Sequence, residues 1–206
     1  MKYQEFKNSI NKAFFRKFEL SLLGIKISDS QVNLWQKRGY IKRLKSGLYV
    51  FPDLTKNLDI SDFNTMSFLM YEPSYISLES ALRHYGLIPE VVQSITGITT
   101  KTTRNFKNVY GNFLYRHIKP DLFWGYTVVK SKFGKYLLAE PEKAVLDYIY
   151  LNKSDLKDIG SIEELRINTD EFKKIIKIKK LKEYLKLFNS KHMNETINLL
   201  LQNVNA

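Results

Sequence analysis

The chain has 206 residues, a formal net charge of +12, no Cys and 44% hydrophobic side chains. That length suits one globular core or two small ones. Without Cys there is no disulfide, thiolate metal site or Cys nucleophile, and only 3 His make a multi-His metal site hard to build, so no cofactor and no metal are expected.

The N-terminal residues 1–18 are charged throughout and lack the apolar run of a signal peptide or membrane span, so a soluble, cytoplasmic protein with no membrane partner is expected. Phe6, Ile10, Ala13, Phe14 and Phe18 recur at spacings of three and four, which predicts a helix over residues 3–18. A second short helix runs through Leu20 to Leu23 and stops at Gly24; a third covers Asp29 to Arg38, capped by Ser28, with Val32 and Trp35 inward. Gly39 ends it, and residues 40–44 and 47–51 read as two strands around a Lys45-Ser46-Gly47 turn. Three helices and a tight basic hairpin are the plan of a winged helix-turn-helix, so residues 1–55 are expected to be a DNA-binding domain.

Residues 56–206 are expected to be a mixed α+β domain with a C-terminal helical extension. Residues 64–70 and 77–85 predict helices, the second capped by Ser77 and stopped by Gly86. Residues 95–99, 112–118, 124–130 and 136–139 predict strands, with turns at 111–112 and 133–135, and an antiparallel meander is the natural sheet. Pro141 opens a helix to Leu151 whose apolar positions wrap much of its circumference, implying deep burial. Ser161 with Glu164 has capping-box spacing, and amphipathic helices follow over residues 170–188 and 194–204.

Charge is blocky: residues 1–51 carry +8, 52–93 carry −4, 94–139 carry +7, 140–168 carry −3 and 169–206 carry +4. Such segments suit a polyanion, although a Lys-rich coding sequence explains them equally well. In the third helix Ser30, Asn33, Gln36, Lys37 and Arg38 lie away from Val32 and Trp35 and suit major-groove readout; Lys42, Arg43 and Lys45 flank the wing and suit phosphates or the minor groove. Lys101, Arg104, Lys107, Arg116, His117 and Lys119 make a second basic surface among aromatics. No catalytic residue is expected. Two other readings stay open: a metal-dependent nuclease using Asp121, Glu140 and Glu142, and a protein-interaction module with basic faces. Glu140, Glu142 and Asp147 otherwise read as residues that cap or solvate their helix. No phosphate-binding glycine loop or serine-hydrolase elbow is present.

Residues 35–49 (WQKRGYIKRLKSGLY), 75–82 (YISLESAL) with 85–88 (YGLI), 115–118 (YRHI) and 138–147 (LAEPEKAVLD), in that order, resemble the AbiE-type antitoxin family over roughly residues 5–152. The resemblance implies a bacterial antitoxin and autoregulating transcriptional repressor of a type IV, abortive-infection toxin–antitoxin system. Its N-terminal winged helix would bind inverted repeats in its own promoter, as a monomer or dimer on double-stranded DNA. Its second domain would counteract a nucleotidyltransferase-like toxin without a stable complex. Carried onto this chain, the recognition helix is Asp29 to Arg38 and the wing Tyr40 to Phe51. Residues 160–206 lie outside the resemblance, and the N-terminal helix is longer than the family's.

Overall fold

The computed structural model describes residues 1–10, 12–89, 94–156 and 158–205. The N-terminal part runs α1 (Tyr3–Ser9), β1 (Phe14–Arg16), α2 (Lys17–Leu22), α3 (Asp29–Lys37), β2 (Lys42–Lys45) and β3 (Leu48–Val50), with an antiparallel sheet in the order β1-β3-β2. The predicted first helix therefore ends at Ser9, and Phe14–Arg16 pair with Val50, Tyr49 and Leu48 instead. The cause is two-sided burial. Phe15 packs with Phe6, Trp35 and Phe51, while its neighbour Phe14 packs with Leu48, Met66 and Phe133; a strand sends adjacent side chains to opposite faces.

The helix over 29–37 forms as expected. The Ser28 hydroxyl accepts from the Gln31 N–H at 3.1 Å and the Gln31 carboxamide oxygen accepts from the Ser28 N–H at 3.0 Å, closing a capping box. Gly39 follows at φ +71°, a left-handed conformation that stops the helix at little steric cost.

After a 3-10 turn at Pro52–Leu54 come α4 (Ile60–Met70), β4 (Ser74–Ile76), α5 (Leu78–His84), β5 (Ser94–Thr99), β6 (Arg104–Asn108) and β7 (Gly111–His117). A second 3-10 turn, Pro120–Leu122, leads to β8 (Tyr126–Ser131) and β9 (Gly134–Ala139). The helices α6 (Pro141–Leu151), α7 (Ile159–Glu163), α8 (Thr169–Ile175), α9 (Ile178–Phe188) and α10 (Lys191–Asn205) complete the chain. The strands form one sheet, β6-β7-β5-β4-β9-β8.

This sheet is mixed rather than an antiparallel meander: β5 runs parallel to β7, and β4 parallel to β9. In each hairpin the chain first lays down an edge strand, β6 or β8. It then returns beside the central β4–β5 pair, so the inner strand comes in parallel. The β6–β7 reversal falls at Val109–Tyr110, before the predicted turn. On one face α5, α6 and the C-terminal helices pack on Tyr75 and Ile98; on the other, α4 and the three-stranded sheet cover Phe113 and Tyr115.

Three local readings are corrected. The helix predicted over 64–70 begins four residues earlier, at Ile60, where the Asp59 side chain caps it. Asp158 with Ser161 forms the box predicted for Ser161 with Glu164. The helix expected over 170–188 divides at Ile176-Lys177, where the Lys177 N–H donates to Glu142 at 2.9 Å. Among the described residues no helix is long and apolar enough to cross a membrane.

Candidate functional site

Val32 and Trp35 anchor α3: both are buried, and Trp35 stacks on Phe6 with ring centroids 4.7 Å apart. That fixes the opposite side of the helix outward. Ser30, Asn33, Lys37 and Arg38 are exposed and Gln36 is half-buried, its amide 3.5 Å from the Asn33 oxygen. Lys17 of α2 pairs with Asp29 at the first turn of α3 and ties the two helices together.

The hairpin side chains divide. Lys42 and Arg43 are exposed, with the Lys42 ammonium 5.9 Å from the Tyr110 ring centroid. Lys45 instead faces the junction with the second sheet. Burial lowers its pKa, and the nearby cations Arg16, Lys101 and Arg104 lower it further against the opposing Glu72. It is joined there by two members of the predicted second basic surface. Lys101 donates to the Glu72 carbonyl and lies over Tyr71; Arg104 lies over Phe106.

The remaining members go elsewhere. Arg116 turns inward, donating to the Leu151 carbonyl at 2.7 Å and the Asn152 carboxamide at 3.2 Å; a cation at the last carbonyls of α6 satisfies groups the helix cannot. His117 is 3.0 Å from the Lys101 carbonyl through Nδ1, and Lys107 and Lys119 are exposed.

Glu142 and Asp147 are buried rather than solvated, at 2% and 0% exposure. Glu140 accepts from the Tyr184 hydroxyl at 2.5 Å and pairs with Lys180 at 3.1 Å; Glu142 lies 3.4 Å from the same Lys180. Asp121 sits exposed in the second 3-10 turn. Among the described residues no group of three or more His, Cys, Asp or Glu is placed to hold a metal, so Asp121, Glu140 and Glu142 do not converge as a nuclease site requires.

The motif at 140–147 instead builds a closed polar cluster that charge-based reading missed. Lys143, wholly buried, donates to the Asp147 carboxylate one turn on and to the Tyr75 hydroxyl at 2.9 Å. Tyr75 and Ser77 each donate to the other Asp147 oxygen at 2.9 Å. The rings of Trp124, Phe188 and Tyr75 surround the ammonium at 4.9, 5.3 and 5.4 Å, and such contacts favour a desolvated cation. Burial pushes the Lys143 pKa down and the Asp147 pKa up, each opposed by the partner's charge. Gly125, at φ +73°, lets the backbone approach: a Cβ there would meet the Lys143 Cγ at 3.0 Å. The cluster ties β4, the start of α5 and α6 together. The Lys-Asp spacing of four inside an apolar helix was the available signal.

Comparison with protein-family models and with characterised proteins returns no match to this chain.

Proposed function

We propose that the chain is a DNA-binding transcriptional repressor of the winged helix-turn-helix type that also acts as the antitoxin of a type IV toxin–antitoxin system. The observation that carries the DNA half is the solvent face of α3, where Ser30, Asn33 and Lys37 are exposed and Gln36 is half-buried, beside a hairpin carrying Lys42 and Arg43. The element order α1-β1-α2-α3-β2-β3 and the strand order β1-β3-β2 support this reading, with α2–α3 as the helix-turn-helix and β2–β3 as the wing. Asn33 and Gln36 match adenine edges, Lys37 reaches guanine or phosphate, and the hairpin cations match the backbone. The antitoxin half rests on the motif resemblance over residues 35–147, and places the second part of the chain opposite a nucleotidyltransferase-like toxin.

The test is a salt titration of binding to DNA from immediately upstream of the gene, against a scrambled duplex of equal composition. The expected result is a preference that survives physiological salt and an affinity whose logarithm falls by roughly 0.9 per phosphate neutralised. Equal, weak binding to both duplexes overturns the repressor reading. Asn33→Ala is expected to cost about 1–3 kcal/mol of discrimination at one base position while leaving the salt slope alone. Co-expression with the neighbouring toxin, scored by growth, tests the antitoxin half.

A further inference from the structure

The two basic segments of the sequence meet in space. Strand β2 lies beside the edge strand β6: the Asn108 amide donates to the Leu44 carbonyl at 3.2 Å, and Lys42 lies over Tyr110 in the β6–β7 turn. Behind this contact, Tyr71 and Glu72 act as a hub. Arg16 from β1 pairs with the Glu72 carboxylate and donates to the Leu69 carbonyl at 3.1 Å. Lys101 reaches the Glu72 carbonyl across the Tyr71 ring, 5.5 Å from its centroid. The Phe106 ring meets Tyr71 edge-on at 5.5 Å and carries Arg104 at 5.7 Å.

We infer that Lys45, Arg16, Lys101 and Arg104 form one backbone-phosphate site, straddling the two sheets, which extends the DNA contact of the hairpin onto the six-stranded part of the molecule. This rests on the DNA-binding reading above. Arg16, Lys101 and Arg104, from two other stretches of chain, all act on Lys45 through their charge, opposed there by the Glu72 carboxylate, with which Arg16 pairs; Arg16 also pairs with Glu19 at 3.1 Å. Cations crowded in this way repel one another, and a phosphate run relieves that repulsion while releasing its own counterions. Arg104 and Lys101 are exposed and held by rings and a carbonyl rather than by carboxylate side chains, so their charge is available to a ligand.

The experiment compares salt slopes for the full chain, the Lys101→Gln/Arg104→Gln double variant, Arg104→Gln alone, and Lys130→Gln/Lys132→Gln at the opposite edge of the sheet. The double variant is expected to flatten the slope by roughly 2, and Arg104→Gln, an exposed change that leaves the Lys101 contact intact, by roughly 1. Both should weaken upstream and scrambled duplexes by the same factor, and the opposite-edge variant should leave the slope unchanged. An unchanged slope in Arg104→Gln and in a folded double variant overturns the site, as does equal flattening by the opposite-edge pair. A full chain that binds both duplexes equally, yet loses slope in the double variant, keeps the phosphate site and removes the repressor reading. No binding to either duplex removes both.

Discussion

At residue scale the chemistry concentrates on the Lys143–Asp147 pair, because neither charge has water to turn to. Removing one partner of a buried ion pair leaves the other uncompensated, at a cost of about 3–5 kcal/mol. Lys143→Met is therefore expected to lower the urea midpoint strongly, whereas Lys143→Met/Asp147→Leu should recover much of the loss, with the remainder due to the Tyr75 and Ser77 hydroxyls deprived of their acceptor. Singles no worse than the double would show that the pair is not coupled. Part of this was legible: residues 140–147 stood out as a motif, and the apolar circumference of the helix foretold burial. Charge alone nonetheless points Glu142 and Asp147 to solvent, because carboxylates usually go there. Tyr75 and Ser77, about seventy residues away in sequence, could not be paired with Asp147 by any local pattern.

At element scale, α9 is fastened to the start of α6 by polar contacts as well as by Leu181 and Leu185. Glu140 is the titrating part of that fastening. Burial alone would raise its pKa, but hydrogen bonds from Tyr184 and Lys180 and the charge of Lys180 outweigh it, so the net shift is downward. A carboxylate with a lowered folded pKa contributes stability above its ordinary range and loses it as pH falls through the lowered value. The melting temperature of the full chain is expected to fall on acidification through this range, and Glu140→Gln, measured in parallel, should be less stable at neutral pH and show a smaller acid-induced fall. Identical pH profiles would remove Glu140 from the account. At the other end of the scale, burial pushes the Tyr85 hydroxyl, which donates to the Ala139 carbonyl at 2.7 Å, up to about 12. Its stabilisation is present below pH 10 and is lost as pH rises through the folded value, which phenolate absorbance can follow. Most helices were legible from spacing and caps; β1, β4 and β6 were not. Phe14 falls in a helical stripe, β4 has three residues, and Arg104–Asn108 has little of the β-branched content that marks strands. Alternation also assigns faces without assigning direction, so the parallel pairings had no local signature.

At the scale of the whole molecule, the three-stranded sheet does not sit apart from the rest. Ala13, Phe14, Leu44, Leu48 and Val50 share a hydrophobic cluster with Met66 and Met70 of α4 and with Phe113 and Tyr115 of β7. The Tyr115 hydroxyl donates to the Ser67 carbonyl at 2.7 Å, so the same ring that closes this cluster also fixes α4 on the sheet. A core shared across both sheets makes their unfolding cooperative, and one transition is expected in calorimetry rather than two. Leu48, 1% exposed within the shared cluster, is the residue to change: Leu48→Ala should cost about 2–5 kcal/mol through lost burial and the cavity left behind. If the sheets are coupled, that loss moves the single transition as a whole; a separate early transition confined to the N-terminal part would show that they melt independently. Under the proposed repressor reading, upstream DNA added to the same experiment should bind the native state and raise the transition by mass action. Because the proposed phosphate site spans both sheets, the shift should also remain a displacement of one peak in the Leu48→Ala chain, and DNA that raised only part of the transition would place its contacts on one sheet alone.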